Sequence, residues 1–162
     1  MSARDLKSTN GFLLSDFKYL MAYSIPLTAL IGFYLGGYWL FTTPFYIFVI
    51  IPIVEFLLTR YGIDELETHR AEKGIHWLFD LMLYLNILIV FGLLIYSLTK
   101  IVSYEYLSIE FLGSLLSLGL VMASNGINVA HELCHRTKSP ERFLGKFLLI
   151  PSLYMHFYLE HN

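Results

Sequence analysis

Residues 19–54 read YLMAYSIPLTALIGFYLGGYWLFTTPFYIFVIIPIV, 36 residues between Lys18 and Glu55 without one charged side chain. A membrane-spanning helix needs about 20 mostly apolar residues, so this run is too long for one span and long enough for two. Thr42-Thr43-Pro44 interrupts it, which predicts a hairpin of helices over roughly 19–40 and 45–60. Two further charge-free runs follow, 19 residues between Asp80 and Lys100 and 21 between Glu110 and Glu132. They predict spans over roughly 77–98 and 109–131. A last run, 147–159, is too short to span and is expected at the interface or dipping in part way. The expected fold is therefore all-α and integral to the membrane. It is a four-span helical bundle followed by a cytoplasmic histidine-bearing segment, one domain over residues 1–162.

Composition agrees. The chain of 162 residues is 56% hydrophobic and 15% charged, with a mean hydropathy of +0.60. Soluble domains run near 45–50% apolar and about 25% charged. The departure is opposite to that of disordered chains. A net charge of −2 with no basic stripe excludes a nucleic-acid binder. A lone cysteine, Cys134, excludes an internal disulfide framework. Met1 to Lys18 is polar and shows no secretory signal pattern.

Lysine and arginine orient the chain. With both termini in the cytoplasm, ten of the eleven basic residues lie inside and only Lys100 outside. In that orientation Glu55, Asp80 and His131 all fall near the inner ends of their spans. Ionisable groups in spans are costly and usually face a bundle interior or a site. Glu55 and Asp80 are thus candidates for the site, or else snorkel to the interface or pair with Arg60 or Lys73.

The stretch richest in chemistry is Asn125-Gly-Ile-Asn128-Val-Ala-His131-Glu132-Leu-Cys134-His135. Residues four apart share a helix face, so His131 and His135 can present both imidazoles to one metal. The same residues fit H-E-x-x-H, the zinc metalloprotease pattern, in which Glu132 would activate a bound water and Glu160 could supply a third ligand. A second cluster, Tyr154-Met-His156-Phe-Tyr158-Leu-Glu160-His161-Asn162, follows. Imidazole suits iron as well as zinc, so ligand type leaves the metal open. Asn128, Glu132, His156 and Glu160 are candidates to orient the ligands from behind. His69 and His76 lie in an inner loop read as a solvated face, with docking of an electron-transfer partner as the alternative. Asn86, inside the third span, reads as an interhelical hydrogen bond. Gly32, Gly36 and Gly37 read as small residues permitting close helix packing.

Asn-x-x-His-Glu-Leu-x-His followed by His-Phe-Tyr-x-Glu-His-Asn resembles the membrane alkane 1-monooxygenases. Xylene monooxygenases and the fatty-acid desaturase and hydroxylase superfamily are related. The resemblance covers the whole chain in outline and is most specific from Asn125 to Asn162. It implies that His131 and His135 are iron ligands of a first histidine box and that His161 opens a second. It further implies two non-haem irons, molecular oxygen, electrons from rubredoxin, an apolar substrate drawn from the bilayer, and a bacterial inner membrane. Cys134 and Arg136 stand where the family usually has glycine and lysine. The family's second box continues past Glu-His-Asn, and a third comes later, so an N-terminal fragment, inactive alone, is the expectation. The residues by themselves leave open a zinc protease, a desaturase, and an inert truncated membrane protein.

Overall fold

The computed structural model describes residues 20–60 and 76–156, without the side chains of residues 76 and 77. Among them the chain is helical, with no strand, as the charge-free runs predict. A short 3₁₀ turn, Met21–Tyr23, leads into α1, Ser24–Leu35. Then come α2, Gly37–Arg60, α3, His76–Ile101, α4, Ile109–Cys134, and α5, Ser139–Leu149. Three of these helical stretches are long and apolar enough to cross a membrane: Gly37–Arg60, Leu78–Ile101 and Ile109–Cys134. At about 1.5 Å per residue the 24-residue stretches reach about 36 Å, against a hydrocarbon core of about 30 Å. Met21–Leu35 is a shorter apolar helix.

The first hairpin turns earlier than Thr42-Thr43-Pro44 suggested. The break is at Gly36 (φ 70°, ψ −172°) and Gly37 (φ 56°), so the first helix stops at Leu35 and the second begins at Gly37. The Gly36 combination lies in a region that is essentially closed to residues bearing a Cβ. Residues 42–44 instead continue the second helix. Proline removes the N–H that would bond the carbonyl four residues back, here that of Leu40. The Ser117 hydroxyl of α4 donates to that carbonyl and satisfies it. Pro52 follows a π-helical turn, Tyr46–Ile50, which absorbs the second proline within the same helix.

The core lies between α1, the start of α2, α3 and α4. Phe33, Leu40, Val90 and Val121 are fully buried there. Ser97, Ser114 and Ser117 are buried beside them, small enough for helices to approach closely. α4 starts at Ser108, whose side-chain oxygen accepts the Phe111 N–H at 3.1 Å.

α5 folds back on the end of α4. It begins at Ser139, with Pro140 second and Glu141 also in its first turn, both favourable near a helix start. Gly145 faces Cys134 and the Ala130 carbonyl. Tyr84 donates to Glu141 at 2.8 Å, and Phe91 stacks on Phe147 at 4.7 Å between centroids. α5 therefore runs beside α3 from Tyr84 toward Phe91. Leu149 ends it, so of the apolar segment expected over 147–159 residues 147–149 close this returning helix, 150–156 follow in turns, and 157–159 lie outside the described residues.

Candidate functional site

The site is built on the C-terminal end of α4. That helix is α-helical to Val121, π-helical over Met122–Ile127 and α-helical again over Asn128–Cys134. An added residue in a helix turns everything after it by about 100°, so the wide turn sets where the histidines point. It is held by a buried amide pair. Asn86 of α3 donates through Nδ2 to the Asn125 backbone oxygen at 2.7 Å. Asn125 Nδ2 donates to Asn86 Oδ1 and to the Ala22 carbonyl, each at 2.9 Å. The hydrogen bond expected of Asn86 is thus present, and it ties three helices together just before the histidine turn.

His131 and His135 lie with their Nε2 atoms 2.8 Å apart and ring centroids 4.7 Å apart. Two nitrogens at about 2.1 Å from one metal, a right angle apart, are separated by about 3.0 Å. A small opening of the pair would seat a shared metal, so the donor set fits. His135 closes the helix, with φ −81° and ψ −7°, and its N–H bonds the His131 carbonyl at 3.3 Å. Beside the pair, Arg136 binds Asp80 of α3, Nη2 to Oδ1 at 3.0 Å, and lies 3.3 Å from Glu132. The Asp80 partner is thus Arg136.

A mostly apolar cavity of about 440 Å³ lies between α1, α3 and α4, walled by Tyr23, Phe79, Met82 and Val129 among others. Its polar lining includes Asn86, Asn125, Asn128 and Glu132. Asn128 and Glu132 flank the turn that carries His131. The volume is in the range of small-molecule sites, about 300–1,000 Å³.

Asp80, Asn128, Glu132, His131 and His135 are therefore brought together. Glu55 is not: it is exposed on α2 and lines a separate groove with Tyr46 and Val54. His156 is exposed, its ring 4.5 Å from that of Tyr154. Among the described residues no three metal-binding side chains converge. His161 and Glu160, and the loop histidine His69, lie outside the described residues. In the sequence Arg136 was noted only as standing where the family usually has lysine, although its i,i+4 spacing from Glu132 is a legible pairing signal. The bond from Asp80 has no such local signal. The Tyr84–Glu141 bond was also missed. Together with Lys138 at 3.3 Å, it holds the Glu141 carboxyl below its usual range; the Tyr84 hydrogen bond is the main cause.

No protein-family model matches the chain. Over 128 residues, 77% of the chain, it is 30% identical to alkane 1-monooxygenase 1 of Pseudomonas aeruginosa. Over 144 residues, 85% of the chain, it is 28% identical to alkane 1-monooxygenase 1 of Alcanivorax borkumensis. The chain is related to the alkane 1-monooxygenases. It spans about a third of the length of these relatives, 33% and 35%. The resemblance read from the histidine motifs is borne out, and the chain is a multi-pass helical membrane protein of monooxygenase kinship.

Proposed function

We propose that this chain forms part of a di-iron membrane monooxygenase, which in its full-length form hydroxylates the terminal methyl of alkanes. The single observation carrying this is the 2.8 Å His131–His135 pair on a chain whose relatives are named alkane 1-monooxygenases. His131 and His135 would hold iron, joined by His161; bound iron would supply oxygen activation with electrons from rubredoxin. The protein's own contribution is placement. A mostly apolar cavity beside the histidine turn offers room for a hydrocarbon from the bilayer. Its aromatic and methionine walls can hold a chain but offer it no polar anchor. Asn128 and Glu132 stand where they can orient the histidine rings and fix their tautomers. A bacterial inner membrane is what the resemblance implies; with four helices crossing, ten of eleven basic residues lie on the histidine side, which supports histidines facing the cytoplasm, within reach of a soluble donor.

The protease reading has less support. Glu132 is an ion-pair partner of Arg136 at 3.3 Å, a contact that a general base for metal-bound water would have to give up. The test is His131→Ala and His135→Ala in the full-length protein, scored by iron content and by conversion of a linear alkane to its 1-alcohol. Loss of both is expected. Retained turnover would sink the assignment. Peptide cleavage that Glu132→Gln abolishes while metal stays bound would favour the protease.

A further inference from the structure

Arg136 follows His135 directly, at the point where α4 ends. Helix ends fray, and the last turn here carries both imidazoles. Three groups meet the Arg136 guanidinium from different sides. Asp80 of α3 meets Nη2 at 3.0 Å. Glu132, one turn back on α4, lies 3.3 Å from Nε, as an ion pair not aligned as a hydrogen bond. The Phe79 ring of α3 lies 5.7 Å from Cζ. The Arg136 N–H also bonds the Leu133 carbonyl at 3.3 Å.

We propose that Arg136 is a positioning residue, which clamps the end of α4 to α3 and so fixes the mutual orientation of His131 and His135. The proposal rests on the reading of that pair as metal ligands. The physical argument is one of reach and shape. A planar guanidinium offers donors in several fixed directions and a face for an aromatic ring, so one side chain can engage Asp80, Glu132 and Phe79 at once. An ammonium is a point charge and satisfies such partners less completely. The Asp80 and Arg136 side chains are 34% and 28% exposed, so the pair is less screened than one at an open surface. With the clamp, the last turn cannot unwind without breaking a contact to a second helix. Without it, the last turn loses its tie to α3, and the separation of the two Nε2 atoms, 2.8 Å here, is less tightly set.

The test uses the protein in lipid nanodiscs, stripped by chelator and titrated with Co(II) followed by its visible absorption. Outer partners that orient ligands typically contribute about 10–100-fold in metal affinity. Asp80→Asn, a near-isosteric change that removes the charge from the interhelical contact, should weaken Co(II) binding about tenfold and alter the absorption band. Arg136→Gln should do at least as much, and Arg136→Lys, which keeps the charge but not the fork or the flat face, should recover only part of the loss. Binding and band unchanged or stronger in Asp80→Asn, with only the melting temperature lowered, would overturn the proposal and leave Arg136 a structural tie. The His131→Ala/His135→Ala double variant separates the underlying reading. If it binds Co(II) as the wild type does, or if the wild type binds none, the pair is not a metal site and both readings fall. If it alone abolishes binding while the clamp variants bind normally, only the present proposal fails.

Discussion

Replacing Gly145 by alanine should push α5 away from the histidine helix. A Cβ at this position would lie 2.8 Å from Cys134 Sγ, 2.9 Å from the Ala130 carbonyl oxygen and 3.0 Å from the Cys134 nitrogen. Comfortable carbon contacts are about 3.5–4.0 Å, so α5 must retreat by about half an ångström or more. Two of the three neighbours are backbone atoms, which no rotamer change can move. Overpacking of this kind costs about 1–3 kcal/mol. Alanine returns up to about 1 kcal/mol in helix propensity, because Gly145 sits inside a helix. The net expectation is a loss of about 1–2 kcal/mol, read as a lowered unfolding midpoint in a detergent titration from bicelles. Cys134→Ala removes only the sulfur, so in the Gly145→Ala background it should recover less than half of the loss, scored as a double-mutant cycle. A Gly145→Ala protein more stable than the parent would refute the reasoning. That is the result for a helical glycine with open space, and it would mean α5 does not seat on α4 as described.

Asn86→Leu removes the bond to the Asn125 carbonyl and leaves one Asn125 amide hydrogen unpaired. About 1–2 kcal/mol of destabilisation is expected, with Asn125→Leu similar and the double variant less than their sum; strict additivity in the same titration would count against a shared network. Gly36→Ala should cost about 1–3 kcal/mol, because its φ of 70° with ψ −172° is a conformation essentially limited to glycine; an unchanged melting temperature would place the hairpin turn elsewhere. The Tyr84 hydroxyl depresses the Glu141 carboxyl. Its stabilisation is therefore present above the ordinary carboxylate range and is lost as pH falls through the lowered folded value. Thermal melts from neutral to acidic pH should fall more steeply for the parent than for Glu141→Gln, and equal slopes would discount the bond.

The sequence alone determined the class of fold and the pairing of the two histidines, and for the same reason: both are one-dimensional. A run of residues without charge either matches the thickness of a bilayer or does not, and 36, 19 and 21 such residues could only be membrane helices. His131 and His135 share a face because a helix repeats every 3.6 residues, which puts both imidazoles on one side of the chain before any tertiary contact is made. The choice of turn in the first hairpin was different. Thr42-Thr43-Pro44 carries the stronger local break signal, yet the chain turns at Gly36, because Ser117, 77 residues away, satisfies the carbonyl that Pro44 leaves open. Asp80 likewise read as an acid in search of a local cation, and its partner Arg136 is distant in sequence and adjacent in space. The wide turn at Met122–Ile127 has no periodic signature, and the amide pair with Asn86 holds it. These features depend on which helices pack side by side, and that is settled by buried polar groups finding partners across the bundle.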